Sequence, residues 1–108
     1  MANLTVYLVA SNVFSTNVIL IDSAGRTTTL TTPDFSTSGT GAHASERLAN
    51  VAGFSASPSF QARLIVATAG AGKALVDFAI DGTDLPAVDA LYADGDNVDS
   101  GFKSILWP

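Results

Sequence analysis

The sequence has 108 residues, with ten acidic residues against five basic ones, no cysteine, 47% hydrophobic residues and only 14% charged ones. That length makes one domain, residues 1–108, with a single core, and the missing cysteines exclude disulfides, zinc–thiolate sites and cysteine nucleophiles. A charged fraction well below the usual value of about 25%, with a mean hydropathy of +0.34, excludes disorder and suggests apolar surface hidden in an oligomer.

Residues 4–10 (LTVYLVA) are β-prone, with Leu4, Val6 and Leu8 on one face and Thr5, Tyr7 and Val9 on the other. Residues 17–22 (NVILID) form an apolar run of strand length, and Ser23-Ala24-Gly25 leads into residues 26–32 (RTTTLTT). Two β-prone runs around a short Gly turn predict a hairpin, which Pro33 ends because it has no N–H for a ladder. Residues 34–43 are small and polar and predict a loop. Residues 46–53 and 60–68 then read as a second strand pair around Ser55-Ala56-Ser57-Pro58. Gly70-Ala71-Gly72 reads as a turn into a further strand at residues 73–80. Both later strands alternate: Phe60, Ala62, Leu64 and Val66 share one face, as do Ala74, Val76, Phe78 and Ile80.

After residue 80 the period changes. Leu85, Val88 and Leu91 are spaced i, i+3, i+6, after Asp84 as an N-cap and with Pro86 in the first turn. Val98, Phe102 and Ile105 are spaced i, i+4, i+7, with Asn97 as cap and Asp99 in the first turn. The fold class expected is therefore α+β: an antiparallel sheet with an N-terminal hairpin, then two short C-terminal helices packed on a sheet face.

Charge is unevenly placed. Residues 1–73 hold Arg26, Arg47, Arg63 and Lys73 against three acids, whereas residues 74–108 hold only Lys103 against seven aspartates. Such asymmetry fits two faces with different neighbours, or an acidic segment that keeps an apolar protein soluble. The apolar runs are too short to span a bilayer, and Met1-Ala2-Asn3 opens without the basic start of a signal peptide.

Chemistry-bearing motifs are sparse. His43 is the single histidine, in a Gly/Ser loop near Glu46, and no G-x-S-x-G elbow, P-loop or dinucleotide fingerprint occurs. His43 reads as a plain loop residue, and no catalytic residue, metal or cofactor is expected. Residues 94–99 (DGDNVD) cluster oxygens that a calcium ion could use. They also read as a turn whose acids cap a helix. Arg47, Arg63 and Lys73, with Gln61 and Asp77 on the same strand faces, either grip phosphates or are solvated surface charges.

The order of these segments resembles the coat proteins of single-stranded RNA bacteriophages. Residues 18–35 (VILIDSAGRTTTLTTPDF) resemble that family's opening hairpin, residues 47–68 its central strands and residues 73–80 its last strand. Residues 90–93 with 98–108 (VDSGFKSILWP) resemble its two C-terminal helices and closing proline segment. The resemblance implies a non-enzymatic capsid protein of the virion, assembled in the bacterial cytoplasm. It implies a homodimer in which the helices cross onto the partner's sheet, with Leu85, Val88, Leu91, Val98, Phe102 and Ile105 packed there. Dimers would close into an icosahedral shell around genomic RNA, with no membrane involved. By position, Arg47, Gln61, Arg63, Lys73 and Asp77 would contact that RNA. Two other readings fit the same size and acidity: a small calcium-dependent sugar-binding lectin, through residues 94–99 and Trp107-Pro108, and a phage head-decoration protein.

Overall fold

The computed structural model describes residues 2–107. Two long strands dominate it: β1 (Ala2–Ile21) and β5 (Ser59–Ile80), antiparallel to one another from Leu4↔Ile80 to Ile21↔Gln61. A straight strand of that length would run about 65 Å at about 3.3 Å per residue. The longest dimension of the molecule is 38 Å, so the pair is bent double.

The bend lies where the ladder slips, between Ser11, Val13 and Ser15 of β1. Asn12 adopts φ 59° and Gly70 φ 104°, values that favour residues with a small or locally bonding side chain. The Asn12 amide Nδ2 donates to the Ala71 carbonyl at 2.8 Å and fixes the corner. Gly72 is required by contact: a Cβ there would lie 2.6 Å from the Asn12 carbonyl oxygen and 2.7 Å from Thr68 Cγ2.

The bend makes two layers from one continuous sheet. The first pairs β4 (Arg47–Phe54) with the start of β1, then the end of β5, then β7 (Leu91–Gly95). Two-residue strands β3 (Thr37–Ser38) and β6 (Thr83–Asp84) extend its edges. The second layer runs β2 (Thr27–Thr31), the end of β1, the start of β5, and β8 (Lys103–Leu106). Period-two patterning puts Leu4, Val6, Val76, Phe78 and Ile80 of the first layer against Val18, Leu20, Phe60, Leu64 and Ile105 of the second, all at most 2% exposed. Phe60 meets Phe54 and Phe78 edge-on, at ring-centroid distances of 5.1 and 5.8 Å, and so locks the layers together.

The hairpin expected from residues 17–22 and 26–32 is present, with β1 and β2 paired from Asn17↔Thr31 to Ile21↔Thr27. Asp22 organises its turn: the buried carboxylate accepts the N–H groups of Ala24 and Arg26 at 3.0 and 2.9 Å, and pairs with the Arg26 guanidinium.

Other expectations are corrected. The class is not α+β, for among the described residues no helix of seven or more residues is present and the antiparallel sheet carries the fold. Gly70-Ala71-Gly72 lies within β5 and does not end a hairpin. Residues 46–53 and 60–68 do not pair; β4 bonds to β1 in one layer, and the start of β5 lies in the other. In place of the two C-terminal helices stand a 3-10 turn (Ala87–Asp89) and the strands β7 and β8. Leu91 and Ala93 point inward from β7 and Ile105 from β8, while Val88 (75% exposed) and Phe102 (45% exposed) face solvent. Leu85 and Val98 are half-buried. Asp84 lies in β6 and Asn97 in a connection, with no helix for either to cap.

The reason is the free edge of β5. Its backbone N–H and C=O groups need partners, and residues 91–95 and 103–106 supply them in register. Between those strands, Val66 N–H bonds Val98 O and Ser100 N–H bonds Leu64 O, at 2.9 and 2.8 Å. Gly95, Asn97 and Gly101 take positive φ (124°, 50° and 68°), which interrupts a helix. Three apolar residues at helical spacing cannot offset the nucleation cost of so short a helix.

Gly72→Ala is expected to lower stability by about 1–3 kcal/mol through overpacking. Ala71→Ser, on the exposed side of the corner, is expected to leave it unchanged. Thermal melts of the three proteins check both.

Candidate functional site

The densest group of ionisable side chains lies on the outer face of the first layer, around His43. A 3-10 turn (Gly41–His43) brings the histidine over β1. Phe35, 2% exposed, anchors the start of this connection in the core, and Gly39 N–H bonds Glu46 O at 2.8 Å near its end. The imidazole stacks on Tyr7 at a centroid distance of 3.7 Å and 6° between planes. Its Nδ1 bonds the Glu46 carboxylate, which is 9% exposed, and its Nε2 bonds Asp84 of β6 at 3.1 Å. Asp77, half-buried, is the cross-strand neighbour of Tyr7. A small cavity of about 170 Å³ lies beside it, lined by His43, Asp77, Phe78, Asp84 and Leu85.

Electrostatics follow from that enclosure. Burial opposes protonation of His43, but the hydrogen bonds and charges of Glu46 and Asp84 outweigh it and raise its pKa above 6.5. Burial raises the Asp77 carboxyl, and the Glu46 charge adds to the effect. Burial also raises Tyr7, with Asp84 and Glu46 adding to it. Both imidazole nitrogens are engaged, so neither is free to take a proton from a substrate. The ring stands between the two carboxylates. Among the described residues no three His, Asp or Glu side chains converge as a metal site. The cluster's chemistry is that of a clamp, which ties the 35–46 connection and β6 across β1. The sequence held its parts, but nothing local placed Asp84 beside His43, 41 residues away.

The proposed RNA contacts are dispersed. Gln61 and Arg63 lie on the outer face of the second layer, and Lys73 and Asp77 on the outer face of the first, which looks the opposite way. Arg47 opens β4 at the bent corner, opposite Leu8. Arg63 is already neutralised: its guanidinium makes a two-pronged pair with Asp99, with Nε to Oδ1 at 2.8 Å, and lies 5.5 Å from the Phe102 ring centroid. That bond, with the Gly101 N–H, lowers the Asp99 carboxyl to about 2. Arg26 is held by Asp22, and Lys103 by the Val88 and Ala90 carbonyls. Of the five bases, Arg47 and Lys73 alone have side chains that make no hydrogen bond or ion pair with another described residue.

The acidic segment 94–99 serves as a strap. Asn97 Oδ1 accepts Thr68 N–H at 3.1 Å, Thr68 Oγ1 lies 3.4 Å from Asp96 Oδ1, and Asp99 holds Arg63. The side-chain oxygens of Asp96, Asn97 and Asp99 are thus turned to β5, while the exposed Asp94 carboxylate accepts the Tyr92 hydroxyl. No helix among the described residues is long and apolar enough to cross a membrane.

No protein-family model, curated protein or solved structure matches the chain.

His43→Gln is expected to destabilise the protein more at pH 6 than at pH 9. The folded pKa of His43 is raised, so its stabilisation is fully present below about pH 6.5 and lost as pH rises through the folded value. Urea midpoints of wild type and variant at both pH values check it. A difference that is the same at both, or larger at pH 9, contradicts the clamp.

Proposed function

We propose that this chain is a self-associating structural subunit of the coat or shell class, and that it associates through the outer face of its second layer. One observation carries the reading: that face is uncovered and without net charge, with Ile19, Ile21 and Ile65 set among mostly uncharged polar side chains. Cross-strand register arranges it in three rows. Thr27, Ile21, Gln61 and Ser104 form the first; Thr29, Ile19 and Arg63 the second; Thr31, Asn17, Ile65 and Asp99 the third. Phe102 and Leu106 are exposed at 45% and 76%. The only charges in these rows, Arg63 and Asp99, cancel one another.

A face without net charge exerts no net Coulombic attraction on a phosphate backbone and has no net charge to repel a copy of itself. The rest of the chain carries the net charge of −5, which disfavours contact elsewhere. β-Branched threonines and isoleucines present a flat surface that a second sheet can pack on at about 10 Å. The occupant proposed is therefore a second copy of this chain. The low charged fraction supports the same reading. The resemblance to RNA-phage coat proteins adds the closed shell around RNA. Helix exchange between subunits is not part of the proposal. Arg47 and Lys73 are the bases left for phosphate, so RNA affinity per subunit is expected to be low and to depend on multivalency.

Sedimentation of the wild type and three variants tests this. The wild type is expected at twice the 11.0 kDa chain mass or more. Ile19→Lys sets a charge beside Arg63, and Thr29→Lys sets one at an exposed position. Each is expected to weaken association more than about 100-fold, because burying an unpaired charge costs several kcal/mol. Tyr92→Lys, on the opposite layer, is expected to leave association intact. A monomeric wild type, or association indifferent to both second-layer lysines, contradicts the proposal.

A further inference from the structure

At the bent corner the two layers part and leave a cleft of about 300 Å³. The geometry points to this cleft as a binding site for a small amphipathic monocarboxylate, an aliphatic or aromatic body bearing one carboxylate. Its apolar wall is formed by Leu8, Val13, Phe14 and Phe35, two of them buried core residues. Ser15, Thr16, Thr32 and Ser45 bring hydroxyls to the same space. Among the described residues Arg47 is the only charged one lining the cleft, and its side chain makes no hydrogen bond or ion pair with another of them.

These features match the general composition of ligand sites: a concave apolar surface with a few convergent polar groups, in a volume at the small end of about 300–1,000 Å³. The charge sets the ligand class. One guanidinium offers a planar, bidentate fork that fits a carboxylate. No second cation lines the cleft, so a dianion or polyphosphate would leave charge uncompensated. The site is built into the fold. Thr16 N–H donates to Thr32 Oγ1 at 2.8 Å, which ties the floor of β1 to the 3-10 turn Thr32–Asp34. Phe14, 74% exposed at the rim, is an apolar side chain that a bound ligand would cover. Arg47 opens β4, where the ladder to Leu8 fixes its backbone. The inference does not depend on association, because the cleft lies wholly within one chain.

Isothermal titration calorimetry with octanoate tests it, with octan-1-ol and acetate as controls. Octanoate is expected to bind the wild type with one site per chain. Octanol, which lacks the charge, and acetate, which lacks the body, are each expected to bind at least about tenfold more weakly. Arg47→Gln is expected to weaken octanoate by at least about tenfold and to bring it level with octanol. Ala10→Phe narrows the cleft from an exposed position and is expected to abolish binding. Both positions are exposed, so both variants should melt as the wild type does, and a melt recorded alongside checks this. No saturable octanoate binding at millimolar concentration overturns the proposal. So does binding unchanged in Arg47→Gln, or octanol bound as well as octanoate.

Discussion

The structure depends on one pairing, β1 against β5, and on the corner that folds it. Each strand serves both layers, so the first and second layers cannot shift independently. The longer remaining strands are added to the free edges of this bent ribbon, β4 and β2 to β1, and β7 and β8 to β5, while the two-residue β3 pairs with β4 and β6 with β5. The corner works because Asn12 reaches the left-handed region and bonds Ala71, and because Gly72 leaves room for the Asn12 carbonyl. Inward-facing residues of both layers then close on Phe60, whose two edge-on ring contacts bridge the layers. Fully burying aliphatic and aromatic side chains of this size stabilises by about 1.5–3 kcal/mol each. The ribbon therefore gains its stability only when it is bent.

Much of this was legible in the residues. The alternation in residues 4–10, 60–68 and 73–80 gave the inner and outer faces correctly, and the hairpin at residues 17–31 followed from its Gly turn and threonine run. Two things were not legible. The first is strand continuity: Gly70 and Gly72 read as a turn, since nothing local says that a second chain segment passes close enough to exclude a Cβ. The second is the C-terminal quarter. Leu85, Val88 and Leu91 mimic a helix face, but Leu91 and Ala93 also alternate, and a small alanine hides that period. The free edge of β5, which decides the matter, is a tertiary fact. The same holds for the His43 clamp, whose partner Asp84 is remote in sequence, and for the Arg63–Asp99 pair, which removed a base from the candidate RNA contacts.

Charge placement joins fold to function. Among the described residues the acids of the last third do not group as a cation site. Asp84 and Asp99 act as local counterions, and Asp96 and Asn97 pin a connection against Thr68. Neutralisation of Arg63 leaves the second layer without net charge in its three rows. The two bases that stay unpartnered stand elsewhere, Lys73 on the first layer and Arg47 at the corner cleft. The molecule thus separates a face without net charge from a cationic corner at Arg47.

The salt dependence of self-association tests the neutral-face account most directly. Exposed ion pairs weaken as salt screens them, whereas apolar association does not. Sedimentation velocity from low to high sodium chloride separates the two. The account predicts association that stays constant or strengthens as salt rises. Dissociation to the 11.0 kDa chain at high salt would contradict it.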